Sequence, residues 1–316
     1  MGKFLLSIIS IFISHFLFCQ KATIFDKSTS ELLNDDDIQS IAVDKNNNKW
    51  IGTSKNGLIL FNNTDYIPFK KETFNEIKGD YITPIFIDTK NRIWITYSTP
   101  QDGITMLDGS TWYNFSEKEL GNISIISISE DKNGKIYFAG VNGVVTYDGK
   151  KWTKLELPKG EYTVRSININ SNNDIAIGHN EGLLVYQNKK WTSYTEENSE
   201  LRLSTVRAVK FIENKLFIGY GGGFGDGGFS ILLENKWTHY NKTNSNLSDH
   251  MVRDIEIDSK GNIWMATNFG LIKFHDNVIT PIFFNKGKYT NVIKDIFIQD
   301  EIIWLATNIG LIKLEE

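Results

Sequence analysis

Four cations recur along this chain at a nearly constant interval. Arg165, Arg207, Arg253 and Lys294 lie 42, 46 and 41 residues apart, each directly after an aliphatic residue: Val164, Val206, Val252 and Ile293. Brought together, they would form a positive arc suited to carboxylate, sulfate or phosphate groups, which guanidinium binds through paired N–H donors. An internal use competes with this: Asp254, Asp295 and Glu256 are close enough in sequence to neutralise the same side chains. Both readings are open at this stage.

A second chemistry is ring stacking on a sugar. Tyr97 and Tyr220 stand before two unusually long connections, Tyr97-Ser-Thr-Pro-Gln-Asp102 and Tyr220-Gly-Gly-Gly-Phe-Gly-Asp-Gly227. Tyr97, Tyr220 and Phe224 are therefore candidate stacking residues, with Asp226 beside them as a hydrogen-bonding group. The glycine-rich run lacks the Lys-Ser/Thr pair and following helix of a phosphate loop. It reads either as a flexible hairpin extension or as a loop that covers a ligand.

Catalysis finds little support. Beyond the first 20 residues the histidines are His179, His239, His250 and His275. Their spacing fits no metal site, and no nucleophile elbow is present. His179, near Glu181, is retained as a ligand-binding candidate. Asp131-Lys-Asn-Gly resembles the start of a calcium loop, but the later carboxylates are missing, and a hairpin turn is the better reading. No cofactor motif occurs.

These residues are carried by a repeat. Val252-Arg-Asp-Ile-Glu-Ile-Asp, a Ser-Lys-Gly-Asn turn, Ile263-Trp-Met-Ala-Thr and Gly270-Leu-Ile-Lys-Phe form one copy, and Ile38 to Phe61 another. A marker in the second strand falls at Trp50, Trp94, Tyr137, Ala176, Phe217, Trp264 and Trp304, with intervals of 44, 43, 39, 41, 47 and 40. A glycine opening the third strand gives the same count: Gly57, Gly103, Gly143, Gly182, Gly228, Gly270 and Gly310. Short alternating strands at this period predict an all-β, seven-bladed β-propeller of four-stranded antiparallel blades.

Fourth strands follow the type Lys-Trp-Thr-x-Tyr, at Trp112, Trp152, Trp191 and Trp237; the last unit has none. Ala22-Thr-Ile-Phe aligns with Trp191-Thr-Ser-Tyr, so the N-terminal strand is expected to complete the last blade and remove an open sheet edge. All eight tryptophans occupy repeat positions, which assigns them to packing between blades. Strand parity puts the two long loops and the four cations at one end of the ring and the tight Asp/Asn/Gly turns at the other.

The remainder agrees with one domain over residues 20–316. There are 34 basic and 38 acidic residues, a net charge of -4, which argues against a nucleic-acid partner. Residues 1–19 read as a signal peptide: a basic start at Lys3, an apolar run from Phe4 to Phe18, then Cys19. A lipoprotein anchored through Cys19 is the alternative, although Phe18 is a poor residue before a lipidated cysteine. The expected location is periplasmic or extracellular, with no transmembrane segment in the mature chain.

The run Asp258-Ser-Lys-Gly-Asn-Ile-Trp-Met-Ala-Thr-Asn-Phe-Gly-Leu-Ile-Lys-Phe274 resembles the two-component regulator propeller repeat, as does Asp44 to Phe61. The resemblance implies a periplasmic sensor-type propeller that binds oligosaccharides or related ligands. Members of that family often carry two such propellers, a sandwich domain, a membrane span and a kinase; here one ring and no kinase core is expected. Streptogramin lyases are similar in shape and use histidine and glutamate on the open face, for which His179 with Glu181 is the nearest match. Three functions follow in order: a non-catalytic binding module for a glycan or small anionic ligand, a protein-interaction scaffold of the cell envelope, and an enzyme.

Overall fold

The computed structural model describes residues 21–33, 38–158, 162–221, 227–284 and 292–315. The leader and Cys19 therefore lie outside the described residues. The described strands form seven four-stranded antiparallel sheets. Six use four consecutive strands. The seventh takes Ile293–Gln299, Ile302–Thr307 and Gly310–Glu315 from one end of the chain and Lys21–Phe25 from the other. Lys21 pairs with Glu315 and Phe25 with Leu311. The innermost strands contact one another in sequence order, and the last contacts the first, so the sheets close a ring.

The repeated residues have physical reasons. Asp44, Asp88 and Asp258 each precede a tryptophan by six positions. One carboxylate oxygen of each accepts the turn amides two and four residues on. The other accepts the indole Nε1 of Trp50, Trp94 or Trp264 at 3.1, 2.9 and 2.8 Å. Each aspartate thus shapes a hairpin turn and satisfies a buried indole at once. Asp131 makes the same turn, accepting the amides of Asn133 and Lys135.

The glycine that opens each third strand has positive φ in all seven blades. In six of them an added Cβ would lie 2.0–2.4 Å from a carbonyl oxygen at the end of the blade's fourth strand. Backbone conformation and close approach therefore both require glycine there.

Two short pieces interrupt the all-strand pattern: a single turn of 3₁₀ helix, Pro100–Asp102, and a four-residue helix, Glu117–Leu120. Apolar faces pack between neighbouring blades. At the seam between blades seven and one, the Phe25 ring lies 5.7 Å from Phe61 and 5.9 Å from Trp304. Replacing Phe25 with Ala is expected to cost about 2–3 kcal/mol by urea denaturation, less than for a fully buried phenylalanine because the ring is only partly covered.

Candidate functional site

The innermost strands do not pair evenly. In blade one Ile38 opposes Thr53 and Ser40 opposes Gly52, which makes Gln39 the extra residue of a β-bulge. The same bulge isolates Ile126, Arg165, Arg207, Arg253 and Lys294. In blade two it takes in Thr83 and Pro84. A bulge re-aims the extra side chain. All of these residues line a central cavity of about 360 Å³, whereas the aliphatic residues before them do not. The four regularly spaced cations are thus brought to one channel.

Their surroundings differ. Arg165 Nε donates to Asn180 Oδ1 at 2.8 Å, and Arg253 Nε donates to Asn268 Oδ1 at 2.8 Å. Each asparagine directly follows the second strand of its own blade. The matching position in blade five is Gly221, which has no side chain to accept from Arg207. A Cβ there would lie 2.6 Å from Arg207 Nε. That nitrogen is buried and has no hydrogen-bond partner among the described residues. Burial, then the charges of Arg253 and Arg165, hold the Arg207 pKa below its ordinary value. The arginines are therefore close enough to repel one another.

Deeper in the channel lie Lys210, Asp254, Glu256 and Asp295. The sequence reading overlooked Lys210 and considered the three acids as partners for the arc. Instead Lys210 Nζ holds both oxygens of Glu256, at 2.7 and 2.6 Å. Asp254 accepts the Ile296 amide at 3.1 Å and Asp295 the Ile41 amide at 2.9 Å. Ser127 and Ser166, at the same strand position, accept the amides of Ile167 and Val209. This position therefore stitches a blade to the next one. Burial, then the charge of Glu256, raises Asp254 to about 6. Burial, then the charge of Asp254, raises Asp295 well above the usual carboxylate range.

The two tyrosines are misplaced for stacking. Tyr97 is 2% exposed and Tyr220 0%. Each ends a second strand and turns its ring into the core between blades, where no sugar can reach a face. Tyr97 Oη contacts Thr105 Oγ1 at 2.6 Å and accepts the Lys78 amide at 3.1 Å. Tyr220 Oη contacts Ser230 Oγ at 2.7 Å and accepts the Arg202 amide at 3.3 Å. Both pin the connection that arrives from the preceding blade. The long blade-two loop also folds back: Asp102 accepts from Thr99 and lies 3.6 Å from Lys71. Phe224 and Asp226 lie outside the described residues.

His179 ends the second strand of blade four and is also enclosed, at 2% exposure. Tyr162 covers it at 4.3 Å, and its Nδ1 accepts the Glu181 amide at 3.2 Å. Burial lowers its pKa to about 4. Its position in the core, shared with Tyr97 and Tyr220, separates it from a ligand at the channel mouth. Outside this region, His239 Nδ1 lies 2.7 Å from Ser230 Oγ. Ser230 is fully buried, so this pair is a core contact and not an accessible nucleophile and base.

Residues 246–269, which include Arg253 and its turn, match the sequence profile described as two component regulator propeller. Residues 246–269 carry one copy of this repeat. Solved structures of the same shape fall into different functional groups. A catalytically inactive histidine-to-alanine variant of virginiamycin B lyase from Staphylococcus aureus, with quinupristin, is 15% identical at a TM-score of 0.75; the match covers 94% of this chain and 99% of that one. The extracellular domain of a hybrid two-component system from B. thetaiotaomicron is 18% identical at 0.70, over 94% of this chain and 39% of that longer one. PorZ, a surface component of the type-IX secretion system of Porphyromonas gingivalis, is 14% identical at 0.65, over 87% and 46%. At such identities these likenesses establish the fold alone. A comparison with curated proteins returned no match.

Two stability measurements check the assignments. Tyr220→Phe leaves the buried Ser230 hydroxyl and the Arg202 amide short of a partner, and is expected to cost about 1–2 kcal/mol in urea denaturation. For Asp254 the folded pKa is raised, so the folded state binds the extra proton. Its stability contribution is fully present below pH 3.8 and is lost as pH rises towards about 6. Asp254→Asn should flatten the fall in stability across that window in denaturation curves.

Proposed function

We propose that this protein is a non-catalytic ligand-binding propeller of the periplasm or cell exterior. It seats an anionic group of its ligand at the channel mouth, among Arg165, Arg207, Arg253 and Lys294. The observation that carries this reading is Arg207 Nε, buried and without a hydrogen-bond partner among the described residues, next to a glycine where two neighbouring blades supply an asparagine to their arginine. A buried charged donor without an acceptor is costly, and a carboxylate or sulfate oxygen supplies the missing acceptor. Among the described residues the channel's charge balance points the same way, with five cations lining it against three carboxylates in a chain that is acidic overall.

The location is supported by the leader-like residues 1–19 and by the likeness to an extracellular sensor domain. Among the described residues no helix is long and apolar enough to cross a membrane. A sensor-type role, with an acidic saccharide or another small anion as the signal, accords with the repeat family. A lyase-like reaction is the weaker reading, because the nearest histidine–glutamate pair has its histidine sealed in the core.

The test is isothermal titration calorimetry of the whole protein at low salt with sulfate and galacturonate. Binding is expected for at least one of them, weakened about tenfold or more by Arg207→Gln, which corresponds to about 1.4 kcal/mol. An Arg207→Gln variant that binds as the wild type does would count against the reading, as would absence of binding to both of these and to the aryl carboxylate phenylacetate.

A specific observation also favours a protein partner. Phe269 and Phe283 are 48% and 56% exposed. Phe269 directly precedes Gly270, and the Phe283 ring lies 3.0 Å from where a Cβ on Gly270 would sit, at the same end of the ring as the channel mouth. In that reading, Phe269→Asp with Phe283→Asp should abolish co-purification of an envelope partner while sulfate binding persists. Retention of the partner would remove this alternative.

A further inference from the structure

We propose that the ligand is a small organic anion with one apolar face. Its acidic group lies against blades four to six, and its hydrocarbon face lies on blades two and three. This rests on the anion reading above and narrows it. The observation behind it is a lateral division of the channel wall. Among the described residues, all eight charged side chains that line the channel belong to blades four to seven. Among the described residues, the wall supplied by blades one to three contains none; it presents Pro84, Phe86 and Ile126 among small hydroxyl groups and Gln39.

The division runs along matched positions. Ile126 is the bulge residue of blade three, where blades four to seven place Arg165, Arg207, Arg253 and Lys294. Phe86 occupies in blade two the position held by Lys210 in blade five and Glu256 in blade six, while blade seven places Phe297 there. In a closed ring of seven, blade three faces blades six and seven, and blade two faces blades five and six. Hydrocarbon is therefore set across the channel from charge. Ile126 is only half-buried and belongs to none of the hydrophobic clusters between blades among the described residues. Its side chain faces the cavity without a packing partner that would explain it.

This wall selects among anions. A fully hydroxylated acid, such as a hexuronate, would set hydroxyls against Phe86 and Ile126 and lose hydrogen bonds to water there. An aryl or alkyl carboxylate would instead remove apolar surface of both partners from water. The cavity of about 360 Å³ is of small-molecule size.

The experiment compares phenylacetate, galacturonate and sulfate by calorimetry on the whole protein at low salt. Phenylacetate is expected to bind at least about tenfold more tightly than the other two. Ile126→Ser is expected to shrink that advantage by at least about threefold, and Arg207→Gln to weaken phenylacetate as well. If galacturonate or sulfate binds through Arg207 but phenylacetate has no advantage, the apolar face is refuted and the anion site stands. If none of the three binds, the anion site falls and this inference falls with it. The wild-type comparison decides the question even if Ile126→Ser proves unstable.

Discussion

The bulge at the start of each innermost strand is the constraint on which the rest depends. It takes one residue out of the ladder in every blade, and two in blade two. The extra residue turns into the channel. The residue after it is then free to accept an amide from the next blade, as Ser127, Ser166, Asp254 and Asp295 do. Ring cohesion and channel chemistry thus share one local irregularity. Without it, the alternation of an ordinary strand would govern where these side chains point.

The second organising fact is how the channel accommodates charge. Guanidinium groups set close together and partly out of water repel one another and lose solvation. Arg165 Nε and Arg253 Nε each donate to a neutral side-chain amide, and the nearby Asp249 carboxylate favours the Arg253 charge. The deeper acids are engaged elsewhere: Glu256 with Lys210, Asp254 and Asp295 with the backbone. The mouth keeps a positive surplus for that reason. Arg207 alone among the three arginines lacks the amide, and the lack traces to a single glycine.

Much of this was legible beforehand. The Asp-to-Trp spacing of six and the strand-opening glycine recur because each answers a local requirement: a turn that also satisfies an indole, and a backbone crowded by a fourth-strand carbonyl. Local requirements repeat with the sequence, so blade number, closure by Lys21–Phe25 and the cation arc could all be read in advance. Even the Arg207 Nε without an asparagine acceptor left a trace, since Asn180, Gly221 and Asn268 align after their second strands. Tyr97, Tyr220 and His179 could not be read in this way. They precede loops, and a loop-edge aromatic may face solvent or core with the same sequence; here three neighbouring hydroxyl or amide partners lie inside.

The sequence by itself determined the ring, because period, turn chemistry and strand alternation are short-range properties that each repeat states in full. It also determined that four cations share one position. Only the tertiary structure decided what that position is: a bulge rather than a ladder residue, opening on a common channel. It likewise decided that, among the described residues, the charged side chains of the channel gather on one wall and face Phe86 and Ile126 on the other. That division compares residues from opposite blades, far apart in the chain, and their distance and facing exist only once the ring has closed.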